Sequence, residues 1–372
     1  MNKLITKGKA DFWTFLFTLG LTAFGLIMVF SASAPYAKNK FDDIYSYFKT
    51  QFIAALIGFA LMFLISHLDY KIYKKLAWPI IGIGLALLIL CFIPGIGVSY
   101  SDARRWVKII IEFQPSEIYK IAYIIFLSKL VVDLKDKKRH FVNYLIELSV
   151  IIVSAFIIYK QPHLSCAVIV TLVGFLIIYI GGTKIKYLIL TVAPVVALGL
   201  FAAFNVDYMK ERIISWLDPF ADASDIGYQV VQSLYAIGSG GLFGVGLGKS
   251  TQKFLYIPEP QNDFIFSILA EEIGFVGVFA VIALFCMLLW RGMQISIYCE
   301  DLYGTLLATG ITALIFIQAA LNIGVVTGLV PNTGITLPFF SYGGTSLVAF
   351  LMQIGILLNI SRQSVRKREL RV

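Results

Sequence analysis

The chain has 372 residues, 59% of them hydrophobic and 14% charged, a balance outside the range of soluble domains. That excludes a water-soluble globular protein and makes this a membrane protein. The net charge of +9 suits anionic lipid headgroups; with no nucleic-acid motif in the chain, no nucleic-acid partner is expected.

A helix crosses a ~30 Å hydrocarbon core with roughly 20 residues. Apolar runs of about that length occur at 12–33, 51–67, 76–95, 116–132, 142–159, 164–181, 186–205, 263–290, 303–329 and 337–360. All should be helices, because lipid cannot satisfy open backbone groups. The predicted fold is therefore all-α: a polytopic integral membrane protein with about ten transmembrane helices. Residues 1–372 form a single transmembrane domain, with a large extracellular loop (206–262) between helices 7 and 8 and a basic cytoplasmic tail (361–372). No low-complexity segment or fixed-period repeat is evident.

The first run follows Lys3, Lys7 and Lys9 and ends in "SASA" (Ser31–Ala34), which has the look of a signal-peptide cleavage site. It is too long for a signal core and is read as a span. Basic residues place both termini in the cytoplasm, the strongest clusters being Lys135–His140 and Arg362–Arg371. Arg104, Arg105 and Lys108 lie on the outside, against that rule, which suggests an anionic ligand. Just after them, Pro115 opens the fourth span and sets Glu117 and Lys120 one turn apart on one face. The pair is either self-neutralising or part of a site.

The four cysteines (Cys91, Cys166, Cys286, Cys299) have no disulfide or metal spacing and read as small core residues. The long loop before helix 8 is where chemistry is expected, since long loops without a fold of their own tend to be functional. Within it, "AIGSGGLFGVGLGKS" (Ala236–Ser250) invites a nucleotide-binding reading, but Phe243 stands where either phosphate-binding fingerprint requires glycine. A tight loop re-entering the membrane edge is the better reading.

The eighth span, at 28 residues about 42 Å long, exceeds the hydrocarbon core, so its first turns can stand above the lipid. Asp263 is then placed at the outer interface on a helix N-terminus, as a substrate-facing acid or as a simple cap. Glu271, ~12 Å deeper, and Glu272 are intramembrane acids that must face protein or water. Together these residues supply a carboxylate for proton removal, an embedded lysine and a basic cluster suited to phosphate. A lipid carrying a pyrophosphate fits that set.

At these residues the sequence resembles the SEDS proteins (shape, elongation, division and sporulation), whose members FtsW, RodA and SpoVE polymerise peptidoglycan. The likeness spans nearly the whole chain: "GLIMVFSASA" in the first span, "RRW" and "FQPSEIYK" around the fourth, the stretch from Gly227 through "PEPQNDFIFSILAEEIGF", and "NIGVVTGLVPNTGITLPFFSYGGTSL" from Asn322. The wording is nearest to the FtsW and SpoVE branch. The resemblance implies a ten-span glycosyltransferase acting on lipid II, the undecaprenyl-pyrophosphoryl disaccharide-pentapeptide, at the outer face of the bacterial cytoplasmic membrane. It also implies a class B penicillin-binding protein as partner, within division, elongation or sporulation machinery. The family's essential acid falls on Asp263, as catalytic base; Glu117, Lys120, Arg104, Arg105 and Glu259 are the substrate-binding candidates. Glu271, Glu272, Gln252 and Lys253 are supporting polar residues. No tightly bound cofactor is expected; a divalent cation such as Mg2+ or Mn2+ is the candidate.

The chain departs from the family pattern in places. Asn262 replaces a threonine before the essential acid and is expected to cap the helix. In "KQPHLSC" (Lys160–Cys166) His163 replaces an acid and Ser165 a glycine, and "VKIIIEF" lacks a glycine after the tryptophan. A lone histidine at a helix end is more often structural than functional. Beside the enzyme stand two other readings: a lipid II flippase using Glu271, Glu272 and Lys120 as a polar path, and a noncatalytic scaffold.

Overall fold

The computed structural model describes residues 8–100, 103–108, 112–135, 140–194, 216–221, 227–254, 256–332 and 334–364. The helices are α1 (Phe12–Phe41), α2 (Ser46–His67), α3 (Lys71–Leu90), α4 (Pro115–Lys135), α5 (His140–Tyr159), α6 (Leu164–Ile180) and α7 (Ile185–Pro194). After them come α8 (Tyr228–Gly240), α9 (Ile265–Ile297), α10 (Leu302–Val326) and α11 (Gly344–Ser364). Each predicted span falls on one helix, the seventh only as far as Pro194; its remainder and residues 206–215 and 222–226 of the long loop lie outside the described residues. So do most of the Lys135–His140 cluster and the tail beyond Ser364.

Among the described residues, seven helices are long and apolar enough to cross a membrane. The 21-residue α4 has the length but carries Glu117, Lys120, Lys129 and Asp133, a load that a helix surrounded by protein can bear. α10 and α11 are central too: 72% and 78% of their apolar windows are buried, against 22% for α3. Helices α2, α3 and α5 turn residues such as Phe63, Trp78 and Phe156 outward, as lipid-facing helices must. α11 packs along α2, and α4 against α3.

Some predicted spans run past the ends of their helices. Residues 91–95 leave α3 in a turn. Residues 337–343 form a tight turn in which Ser341 Oγ accepts from the Leu337 amide at 2.7 Å. Gly25 of α1 lies so close to this turn that a Cβ there would stand 2.2 Å from the Phe339 carbonyl oxygen.

A small antiparallel sheet, β1 (Gly97–Tyr100), β2 (Ala103–Lys108) and β3 (Glu112–Phe113), joins α3 to α4 in the order β1-β2-β3. Hydropathy gives no sign of it, because these strands pair with one another outside the spans. Period-two alternation along β2 turns Arg104, Trp106 and Lys108 to the more exposed face and Arg105 and Val107 to the other.

The eighth span is broken. Gly274 takes φ 66, ψ −172 inside α9, conformational space open essentially to glycine alone. The glycine-rich loop repairs the break: the amides of Val245 and Gly246 donate to the carbonyls of Glu271 and Glu272, each at 3.0 Å. In return the Phe275 and Val276 amides donate to the Gly241 and Leu242 carbonyls at 2.9 and 3.1 Å. Backbone groups freed by a kink at membrane depth must find such partners. The approach is close enough that a Cβ on Gly244 would lie 2.2 Å from the Glu272 carbonyl oxygen. The glycines thus serve backbone packing.

Candidate active site

Pro115 begins α4, where a missing N–H costs nothing. One turn on, Lys120 Nζ lies 2.7 Å from Glu117 Oε1, with the residues 2% and 4% exposed. Lys120 also donates to Gln318 Oε1 at 2.7 Å, and Glu117 Oε2 accepts from Ser346 Oγ at 3.2 Å. Gln318 Nε2 donates to the Thr336 carbonyl and hydroxyl, both at 3.1 Å. Helices α4, α10 and α11 and the turn before α11 thus share one polar network. A small cleft opens on it, lined by Glu117, Lys120, His163, Gln318, Gly334 and Thr336 among others.

Asp263 stands at the edge of that cleft. A Cβ on Gly334 would lie 3.7 Å from Asp263 Oδ2. Asn322 holds the two segments together, its Nδ2 donating to the Asp263 carbonyl at 2.7 Å and the Ile335 carbonyl at 2.6 Å. The capping expectation is corrected here. The N-cap of α9 is Phe264 with no side-chain cap, and Asn262 Nδ2 donates instead to Glu259 Oε2 at 2.7 Å. The chain enters α9 from the Pro258–Pro260 turn, where Glu259 is left-handed (φ 44), and this puts Asp263 before the first helical turn. Glu259 is further held by the Tyr36 hydroxyl at 3.1 Å.

Among the described residues no side-chain donor is hydrogen-bonded to the Asp263 carboxylate. Burial pushes it up to about 6, its neighbour Glu259 adding to the rise and Arg105 opposing it. Arg105 of β2 donates to the Pro162 carbonyl, beside His163. Arg104, on the opposite face, is exposed and is not brought into this group. His163 precedes α6 with its ring buried; burial, then Arg105 and Lys120, push the imidazole down to about 3.

The supporting polar residues form a second, closed network. Glu271 accepts from the Thr251 amide and hydroxyl, both at 2.9 Å, from the Ser250 hydroxyl and from the Gln252 amide at 3.4 Å. Glu272 pairs with Lys253 at 2.8 Å and accepts from Ser31 of α1 at 2.7 Å. These acids face protein and anchor the loop to the broken helix.

Sequence reasoning missed Tyr36, Gln318, Asn322, Thr336 and Ser346 as members of the site. The available signal was Gln318 and Asn322 four residues apart, hence on one face, in an otherwise apolar span. Among the described residues no group of three or more His, Cys, Asp or Glu gathers as a metal site.

The fold and cluster define a class: a multi-pass membrane protein in which a loop-borne carboxylate overlooks an embedded acid–lysine pair. Residues 12–366 match the family described as "Cell cycle protein", that of FtsW, RodA and SpoVE, and the chain belongs to this family. It is 43% identical to stage V sporulation protein E of Bacillus subtilis, over 96% of this chain and 98% of that one. It is 40% identical to the probable peptidoglycan glycosyltransferase FtsW of Geobacter sulfurreducens, over 95% of each. Among solved structures it superposes on rod shape determining protein RodA of Thermus thermophilus with TM-score 0.69 and 27% identity, covering 97% and 98% of the two chains. A chain from the structure described as "Structural coordination of polymerization and crosslinking by a peptidoglycan synthase complex" gives TM-score 0.80 and 28% identity, covering 95% and 98%.

Proposed function

We propose that this protein is a peptidoglycan glycosyltransferase that polymerises lipid II at the outer face of the bacterial cytoplasmic membrane, beside a class B penicillin-binding protein. The observation that carries the reading is Asp263: a carboxylate with no side-chain partner among the described residues, pushed up to about 6, at the rim of a cleft floored by Lys120. A base is most effective when its pKa lies near the working pH.

Asp263 takes the proton from the acceptor's GlcNAc 4-hydroxyl. The oxygen attacks the anomeric carbon of the lipid-linked MurNAc, the bond to pyrophosphate breaks, and undecaprenyl pyrophosphate leaves. Lys120 and Arg105 offset the charge growing on that leaving group, while Glu117 and Gln318 hold Lys120 in place. Asp263 and Glu259 together suit a hydrated divalent cation, which binds through one or two carboxylates and keeps most of its water; such an ion would add Lewis-acid stabilisation of the pyrophosphate. The closed pairing of Glu271 and Glu272 with the loop favours this reading over a flippase, whose polar path needs open groups.

Glycosyl transfer needs no second compartment, so detergent micelles separate it from flipping. The purified protein, with its penicillin-binding partner, should convert lipid II into glycan chains. Asp263→Asn should stop this while retaining lipid II binding, the amide being far too weak a base. Polymer from a well-folded Asp263→Asn protein would sink the assignment. Orientation is tested by cysteine labelling in intact cells: Asp42→Cys should react with an impermeant reagent and Lys71→Cys should not.

A further inference from the structure

The geometry points to His163 as a substrate-contacting residue of the cleft, one that hydrogen-bonds a neutral sugar group, a hydroxyl or an acetamido, of the lipid-linked saccharide. This inference rests on the glycosyltransferase reading and assigns one side chain a part in it.

His163 is 6% exposed, and its Nδ1 is buried without a hydrogen-bond partner. A buried polar atom left unpaired costs stability, so native proteins keep few of them. Its local role does not use the ring: as the N-cap residue of α6 it makes no side-chain capping bond, and the Ala167 amide bonds to its backbone carbonyl. The imidazole instead lines the cleft. The other polar groups there are committed: Glu117 and Lys120 to each other, Lys120 to Gln318, Gln318 to Thr336, and Glu117 to Ser346. Gln114 is half-exposed at the cleft. The His163 ring thus offers hydrogen-bonding capacity that the folded protein leaves unspent.

Its charge state narrows the ligand. Burial, with Arg105 and Lys120 adding to it, pushes the imidazole down to about 3, so it is neutral near neutral pH. A neutral imidazole carries one donor and one acceptor, which matches a hydroxyl or an amide. A phosphate, which only accepts, would leave the acceptor nitrogen unsatisfied and is better met by the two cations. The cations therefore suit the pyrophosphate, and the histidine suits the sugar beside it.

The test is titration of the purified protein in micelles, following its melting temperature against two probes, lipid II and undecaprenyl pyrophosphate, for wild type, His163→Leu and His163→Gln. Without ligand, His163→Leu should melt at or above the wild-type temperature, because an apolar side chain replaces an unsatisfied one. Its apparent affinity for lipid II should fall about five- to tenfold, the worth of one neutral hydrogen bond. His163→Gln, which keeps a donor and an acceptor, should fall less. The affinity for undecaprenyl pyrophosphate should stay unchanged in both. Several results would overturn the inference while leaving the enzyme reading intact: an unchanged lipid II titration in His163→Leu, an equal loss with both probes, equal losses in Leu and Gln, or a Leu variant that melts lower or fails to fold. A wild type that neither responds to lipid II nor polymerises it would overturn both.

Discussion

Lys253 Nζ lies 2.8 Å from Glu272 Oε1 with both side chains buried, and the same ammonium donates to Ser31 Oγ at 3.1 Å. One ion pair thereby ties the long loop before α9 to the first part of α9 and to α1. Removing one member of a buried pair strands the other, at a cost of about 3–5 kcal/mol. Lys253→Met should therefore sharply lower the melting temperature in detergent. Lys253→Met combined with Glu272→Leu should recover most of the loss, since neither charge is then left alone; a double variant as unstable as the single one would show that the pair is not the origin.

The glycine staple makes a graded prediction. Gly274 (φ +66) would place a Cβ 2.3 Å from the Gly244 amide nitrogen, whereas a Cβ on Gly238 would meet nothing within 4 Å. Gly274→Ala should cost at least ~1–3 kcal/mol in backbone strain alone and reduce activity by moving the segment that carries Asp263. Gly238→Ala, within helix α8, should be neutral or stabilising by up to about 1 kcal/mol. Thermal melts of the two variants, measured side by side, check the contrast.

The two arginines of β2 should separate cleanly. Arg105→Gln removes a cation near Asp263 and His163 and should lower lipid II turnover by about ten- to a hundredfold, the worth of a charge-assisted hydrogen bond. Arg104→Gln, on the exposed face, should stay within about twofold, because screening weakens a distant surface charge. Steady-state kinetics on both decide the matter; equal losses would place Arg104 in the site as well.

On the proposed role, Asp263 should set the pH dependence. Its folded value of about 6 lies above the ordinary 3.8, so activity should rise with pH and level off above about 6, as the base ionises. The sign for stability is opposite. The native carboxyl holds its proton more tightly than the unfolded one, so its contribution to stability is complete below 3.8 and is lost as pH rises through about 6. Asp263→Asn should therefore melt at or above wild type at neutral pH, with the difference vanishing near pH 4. An acid limb that persists unchanged in residual activity of other origin, or an Asp263→Asn protein less stable at pH 7, would count against the assignment.

Hydropathy alone determined the helical membrane architecture, because a run of about 20 apolar residues has one means of satisfying its backbone in lipid. Local spacing likewise put Glu117 and Lys120 on one face, and Phe243 ruled out a nucleotide loop. Tertiary structure decided what each charge does. Lys120 meets Gln318 across 198 residues and Glu272 meets Ser31 across 241. Such pairings depend on the rotation and depth of helices packed together, which no local pattern encodes. The break at Gly274 was hidden for the same reason: a glycine in an apolar run reads as helix until a loop arrives to take its freed backbone bonds. Arg104 and Arg105, adjacent and alike in sequence, were separated only when β2 paired with its neighbours, since a strand's alternation sends successive side chains to opposite faces.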